Sequence, residues 1–398
     1  MPRILTPARL LAPVPLGRFL AEHWGETPLH VRGAPERFAT LFGWPALNHL
    51  LATHRLEPPR LRLALAGERS ASLDSFLRYR TTREGQRVPR LDVRELNRLL
   101  ARGATLVLNS VQDMHPSLEA LAREFARLFV VEPNINLYAS FGHQPGYGPH
   151  WDDHDVFVLQ IAGRKRWLMY GANRRYPLYR DARPNEMQPV RAVARYMAKA
   201  GDLIYVPRGH WHDAIAVGEP TLHLTLGVPT LTGIDFLSWL TDDARGVESM
   251  RRNIPLFDAG KRARWLRHLQ QAVTRRTESA AFTRFVACRR ARFEASSRPS
   301  LPHAVHAMSL PAKSDRLQWT GIAHAMTLTR EGLLVQTADR EYVFDIRAAP
   351  LVERLLTGKA IAYGSVQQAF ARKLGAVRLR RLVSELLREH FVTIVPPR

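Results

Sequence analysis

Residues 146–167 read GYGPHWDDHDVFVLQIAGRKRW. Two histidines and three acids fall within six positions, His150 to Asp155, and a nearly unbroken apolar run follows. The run VFVLQI, closed by a Gly turn and a basic cluster, has the length and the β-branched and aromatic content of a buried strand. Its polar prelude contains a His-x-Asp pair, His150 and Asp152. On extended backbone, positions i and i+2 point to the same face, so an imidazole and a carboxylate can converge on one ion. A third ligand has to come from elsewhere, and GDLIYVPRGHWHDA at 201–214 offers His210 and His212. Two histidines and one carboxylate are the donor set that suits non-haem Fe(II), with coordination positions left open. For Asp153, His154 and Asp155 the expectation is solvent exposure or hydrogen bonding around the ligands.

Working outward, short strand-like runs separated by Gly and Pro fill residues 100–230: TLVLN, INLYASF, VFVLQI, RWLMYG, DLIYVP and LHLTLGV. That density predicts an all-β sandwich or barrel rather than a doubly wound sheet. Residues 1–90 read as mostly helical, with LGRFLAEHW and WPALNHLLATH carrying apolar residues at three- and four-residue spacing. Helices return over 231–295. RWLRHLQQAV puts Trp265, Leu269 and Val273 on one face, and FTRFVACRRARF puts Phe282, Val286 and Phe293 near another. SSRPSLPHAVHAMSLPAK, 296–313, reads as a linker. Beyond it, GLLVQT and EYVFDI followed by three helical patterns and a last strand suit a small winged-helix-like unit. The expected division is 1–230, a barrel with N-terminal helices; 231–305, a helical, dimerisation-like segment; and 306–398, the winged-helix-like domain.

The chain has 398 residues, 58 basic against 36 acidic, for a net charge of +22. Such a charge favours an anionic partner, with nucleic acid or a ribonucleoprotein the first expectation. An equal reading is compositional, because nearly all the basic residues are Arg. Within 251–300 there are 13 basic and 3 acidic residues, either a solvated helical face or a surface for RNA or ribosomal protein. No run of about 18 apolar residues exists to span a membrane. The single cysteine, Cys288, excludes an intramolecular disulfide and suits a reducing cytoplasm.

NLYASFGHQPGYGPHWDDHDVFVLQIAGRKRW, together with AGDLIYVPRGHWHDA and LHLTLGV, resembles the Jumonji-C oxygenases, most closely their ribosomal-oxygenase (cupin-4) branch. The resemblance is sharp over 134–228, and the order of barrel, helical segment and winged-helix-like tail extends it along most of the chain. It implies a mixed α and β chain built on a double-stranded β-helix, the cupin/Jumonji-C barrel. It also implies a 2-oxoglutarate-dependent dioxygenase, and Fe(II) held by His150, Asp152 and His212. The family's turn places its His three residues after Gly, which selects His212 over His210. The co-substrate positions carry over onto Asn136 and Lys165; a Lys ammonium can pair with the distal carboxylate of 2-oxoglutarate. With Lys at only six positions, Lys165 in the turn GRKRW is informative. Tyr138 resembles a substrate-contacting tyrosine, and His223 a residue near the co-substrate; each is equally readable as a core aromatic. Trp151 and Trp211 alternate away from the metal and are expected to pack outside it. Some branch members that act on histidine have a serine where this chain has Gly227, and the arginine-hydroxylating members lack it, which leaves the target side chain open with a small tilt away from histidine.

The implied function is hydroxylation of an Arg or His side chain of a ribosomal protein, with rRNA near the basic surfaces and a homodimer through the helical segment. A second reading is hydroxylation of a biosynthetic precursor peptide gripped by the C-terminal domain through strand addition. A third is a non-catalytic nucleic-acid-binding protein.

Overall fold

The structure is a computed structural model that describes residues 5–64, 75–143, 148–178, 191–291, 299–305, 309–320, 325–337, 340–356 and 360–395. Gly146 and Tyr147 of the opening stretch, Phe293, and parts of the expected 296–313 linker lie outside the described residues. Two compact units divide the chain, Pro2–Thr230 and Leu231–Arg398.

The first unit contains helices α1 (Pro7–Leu11), α2 (Leu16–Glu22), α3 (Trp44–Thr53), α4 (Val93–Ala101) and α5 (Pro116–Phe129). Its strands are β1 (Leu29–Val31), β2 (Leu61–Ala64), β3 (Leu77–Thr81), β4 (Arg87–Leu91), β5 (Thr105–Leu108), β6 (Asn134–Ser140), β7 (Asp155–Ala162), β8 (Arg164–Gly171), β9 (Ala194–Lys199), β10 (Leu203–Val206), β11 (Trp211–Ala216) and β12 (Thr221–Val228). Seven strands form one antiparallel sheet in the order β1-β10-β7-β12-β6-β5-β2, and three form a second, β11-β8-β9. The N-terminal helices are present, but β1 to β4 interrupt what reads as a helical region. LHV and LRLA are too short to show a period, and they become strands only because β10 and β5 supply their backbone partners.

The alternation of β7 sets the layers. Phe157 and Leu159 face one side, Val156 and Val158 the other. On the outer side Phe157 joins Phe19, Trp24, Phe125, Phe129 and Tyr205, with ring centroids 5.0 to 6.4 Å from its own. Asp155, at the head of the strand, is buried there and accepts hydrogen bonds from Tyr205 Oη (2.5 Å) and Thr230 Oγ1 (2.8 Å). On the inner side Val156, Val158, Ile204 and Val206 meet Trp167, Met169 and Ala198 of the smaller sheet. The two sheets thus face each other, as a double-stranded β-helix requires. The β7–β8 turn depends on Gly163, whose φ is +66° and whose missing Cβ would lie 2.2 Å from the Pro220 carbonyl oxygen.

The second unit has α6 (Gly233–Ala244), α7 (Glu248–Arg251), α8 (Ala259–Arg276) and α9 (Ser279–Ala291). In α9 the buried positions are Ala281 and Phe285, and Phe282 is exposed. Phe285 packs on Phe236 and Trp239 of α6, and Phe282, though exposed, also meets Phe236 with ring centroids 5.8 Å apart, so Phe285 adds a buried centre beside the face the spacing predicts. The C-terminal part runs β13 (Arg316–Trp319), β14 (Ala325–Leu328), β15 (Leu333–Gln336), β16 (Glu341–Phe344), α10 (Ala349–Leu356), β17 (Ile361–Ala362), α11 (Tyr363–Leu374), α12 (Ala376–Arg388) and β18 (Val392–Val395). Its two small antiparallel sheets, β17-β13-β18 and β14-β15-β16, share one core with the helices. Among the described residues no helix is long and apolar enough to cross a membrane.

Replacing Phe157 by Ala should remove the centre of the outer aromatic layer. The expected loss is about 3–5 kcal/mol of stability, read as a lower guanidinium midpoint with an unchanged slope.

Candidate metal centre

His150 and Asp152 sit in the loop leading into β7, and His212 is the second residue of β11, 62 positions after His150. An isolated antiparallel bridge joins the two histidines: His150 N–H donates to the His212 carbonyl at 3.0 Å, and His212 N–H to that of His150 at 2.8 Å. A further bond, Gly209 N–H to the Asp152 carbonyl at 2.8 Å, fixes the turn ahead of β11 to the same loop.

The side chains converge. One ligand atom from each of His150, Asp152 and His212 lies within 4.8 Å of the others, and His212 Nε2 is 3.6 Å from Asp152 Oδ2. The imidazole centroids are 4.4 Å apart. His150 Nδ1 is 2.9 Å from the Gly148 carbonyl and His212 Nδ1 is 3.0 Å from that of His210. A carbonyl only accepts, so both Nδ1 atoms carry the proton. Both Nε2 lone pairs are then left for an ion, as in ligating histidines held by an outer partner. His210 thus contributes its backbone to the site.

Electrostatics agree with this donor set. Burial, followed by the field of His150, pushes the His212 imidazole down to about 4, so it is neutral at neutral pH. Burial would raise the Asp152 carboxyl, but the fields of His150, His212 and His154 outweigh it and hold it below the usual carboxylate range. A carboxylate beside two imidazoles whose Nδ1–H groups are already committed fits a divalent cation.

These groups open onto a cavity of about 200 Å³ between the sheets. Asn136, Tyr138, Lys165 and His223 line it, so all the expected site residues share one space. The strands explain why: Asn136 and Tyr138 of β6 pair in register with Thr225 and His223 of β12, and all four take the inward set. Lys165 is 2% exposed. Burial, partly offset by Asp213, brings its ammonium down to about 8. Its Nζ donates to Ser140 Oγ at 3.3 Å, and Ser140 is 3.0 Å from Thr105 Oγ1. The Trp167 indole N–H lacks an acceptor among the described residues and is buried in the same lining. A buried cation and an orphaned donor with few acceptors around them fit an anionic ligand. His223 stacks on Tyr138 with centroids 4.9 Å apart and planes 6° apart.

Trp211 packs away from the ion and donates Nε1–H to Asn173 Oδ1 at 2.8 Å. His154 faces the cavity, its Nδ1 2.8 Å from Asp153 Oδ1. A Cβ on Gly227 would come within 2.7 Å of the His154 ring, so the absent side chain at 227 is what gives that ring its place. Thr105, Ser140, Asn134 and Trp167 escaped the reading of the sequence. Strand alternation points to Asn134 and Trp167, but nothing local marks Thr105 or Ser140 as neighbours of Lys165.

Residues 109–235 match the JmjC domain family. Among curated proteins the chain is similar to the bifunctional lysine-specific demethylase and histidyl-hydroxylase NO66 of Drosophila persimilis, 25% identical over 223 residues, 56% of this chain and 31% of that one. It is also similar to the Aedes aegypti protein of that name, 26% identical over 267 residues, 63% of this chain and 39% of the other. The chain thus spans about a third of the length of these relatives. Among solved structures, the Escherichia coli ribosomal oxygenase YcfD superposes with a TM-score of 0.57 at 17% identity, covering 96% of this chain and 98% of that chain. YcfD in complex with cobalt and 2-oxoglutarate gives a TM-score of 0.55 at 16% identity, covering 95% and 97%. The likeness shows a mixed α/β JmjC fold with antiparallel sheets, the architecture described above.

Removing one ligand, as in Asp152→Ala or His212→Ala, should reduce Co(II) uptake at pH 7 by at least 100-fold in titration calorimetry, with secondary structure retained. The metal-free protein should lose stability as pH falls from about 6.5 to about 4. In that window the unfolded chain binds a proton on His212 that the folded chain, with His212 held near 4, refuses. The same sign applies to His223, lowered by burial and by Lys165. Urea midpoints measured across the window should therefore fall with pH, and His223→Phe should flatten the slope.

Proposed function

We propose that this JmjC-domain chain is an Fe(II)- and 2-oxoglutarate-dependent dioxygenase that hydroxylates a protein side chain, an Arg or His of a ribosomal protein. The observation that carries the reading is a His-Asp-His cluster sharing a cavity with a buried lysine. Bound Fe(II) and 2-oxoglutarate would supply the oxidising power to place one oxygen atom of O2 on a substrate C–H bond.

The chain's own residues do the rest. His150, Asp152 and His212 would hold the ion, leaving coordination positions open on the cavity side. Lys165, steadied by Ser140, is placed to take the distal carboxylate of the 2-oxo acid. Asn136 offers a second polar contact from the neighbouring sheet. Val156, Trp167 and Ala214 wall the cavity with apolar surface, which keeps water from the reacting centre. Tyr138 and His154 are the polar side chains we assign to substrate orientation.

The name of YcfD, a ribosomal oxygenase, supports a ribosomal target, and that of NO66, a histidyl-hydroxylase, supports hydroxylation of a side chain. The net charge of +22 supports docking beside rRNA. We read 231–305 as a dimerisation segment and 306–398 as a winged-helix-like domain. The cytoplasm is the compartment this target implies. Modification of a precursor peptide would share the same site, and a short peptide gene beside this one would favour it. A non-catalytic nucleic-acid binder would have no use for the cluster.

The direct test is mass spectrometry of ribosomal proteins from wild-type and deletion strains, with a gain of one oxygen atom on one residue expected only in the wild type. Lys165→Ala should raise the KM for 2-oxoglutarate by about 10-fold or more while sparing metal uptake. In the wild type, affinity for 2-oxoglutarate should weaken as pH rises past about 8, where the free Lys165 loses its charge.

A further inference from the structure

Ser110 is a non-glycine residue in the left-handed region, with φ 53° and ψ 46°. Such a conformation costs about 1 kcal/mol and persists where the surroundings enforce it. Here the enforcement comes from the start of β6. Ser110 N–H donates to Asn136 Oδ1 at 3.1 Å, and Ser110 Oγ–H donates to Asn134 Oδ1 at 2.9 Å. Gln112 Nε2 donates to the same Asn134 oxygen at 3.1 Å, while Gln112 Oε1 accepts from Ile135 N–H at 2.9 Å. Asn134 Nδ2 then donates to Asn136 Oδ1 at 3.1 Å. From outside, Arg60 holds the Ser110 carbonyl at 3.1 Å.

The count of donors and acceptors decides the orientation of two amides. Asn134 Oδ1 accepts two hydrogen bonds, so its nitrogen must point at Asn136. Asn136 Oδ1 also accepts two, from Ser110 N–H and Asn134 Nδ2. Each carbonyl oxygen has two lone pairs, so both are full. Among the described residues nothing takes the Asn136 Nδ2 hydrogens, and Asn136 lines the cavity. Its amide is therefore committed as a donor, and the ligand group it meets has to be an acceptor.

From this we infer that Ser110, Gln112 and Asn134 are positioning residues that lock the Asn136 amide with its N–H groups toward the 2-oxo acid. The inference rests on the co-substrate reading above. None of the three positions needs to touch the ion or the ammonium of Lys165.

The test is 2-oxoglutarate binding to protein loaded with Mn(II), compared for wild type, Asn134→Ala and Asn134→Asp. The Asp variant is nearly isosteric but replaces the donor facing Asn136 Oδ1 with an acceptor. Asn136 must then either turn its amide over, presenting Oδ1 to an anion, or endure two opposed oxygens. The expected result is a Kd for 2-oxoglutarate raised about 10-fold or more in Asn134→Asp, because an anion loses a hydrogen bond and gains a repulsion. Asn134→Ala removes one partner without reversing polarity and should cost less. Mn(II) affinity should stay at the wild-type value in both, and the Asn134→Ala variant, which loses the Ser110 and Gln112 bonds, calibrates any change in Tm. Equal 2-oxoglutarate affinity in Asn134→Asp and wild type would overturn the inference. So would a loss that comes with lower Mn(II) affinity, or one no larger in Asn134→Asp than in Asn134→Ala, because that marks a merely structural role. If the Mn(II)-loaded wild type does not bind 2-oxoglutarate, the co-substrate reading itself fails and takes this inference with it. If wild type binds and the variants are indifferent, only the inference fails.

Discussion

Two backbone hydrogen bonds between His150 and His212 hold the site together. They join a loop ahead of one sheet to the first turn of a strand in the other. With the Gly209–Asp152 bond beside it, that pairing ties positions 62 residues apart to one geometry, so the imidazoles come within a shared ion's reach. The bridge also explains the regularity around it. Each histidine gives its Nδ1–H to a carbonyl two residues upstream, so the same backbone segments that place the rings also set their tautomers. The backbone thus supplies both position and proton inventory, and the side chains supply the donor atoms.

Around that bridge the fold separates two kinds of burial. The outer layer hides apolar rings and one carboxyl, Asp155, satisfied by two hydroxyls. The inner layer hides polar groups that the described residues leave short of partners: Lys165, with one hydroxyl, and the Trp167 indole N–H and His223 Nδ1, with none. Burying such groups is costly, and a chain selected only for stability would fill the space with hydrocarbon. An anion and a cation entering the cavity would satisfy both ends at once. Burial lowers the lysine toward 8 and the imidazole toward 4, while the fields of the neighbouring histidines hold the aspartate down against the same burial.

Much of this was legible in the residues. The runs of β5, β6, β7, β8, β10 and β12 announce themselves by apolar alternation bounded by glycine, and the His-x-Asp spacing identifies a possible donor pair. Strands β1 to β4, β9 and β11 were not legible. They are short, polar or interrupted, and they are extended because a neighbour offers a ladder. In α9 the spacing marks Phe282, which meets Phe236 from an exposed position, but not Phe285, which is buried against Phe236 and Trp239. Thr105 and Ser140 carry no signal of their own; they meet Lys165 only because β5 and β6 run side by side.

By itself, the sequence determined the residue types: two imidazoles and a carboxylate at spacings a β-barrel can use, one of only six lysines in a chain that otherwise favours arginine, and alternating strands to carry them. Local pattern suffices for these, since alternation and turn chemistry act within a few residues. Which histidine becomes a ligand in space, which nitrogen bears its proton, how deeply Lys165 is buried and which way the Asn136 amide faces were decided only by the tertiary structure. Each of those depends on hydrogen-bond partners and low dielectric supplied by segments tens of residues away, and no local run of residues encodes them.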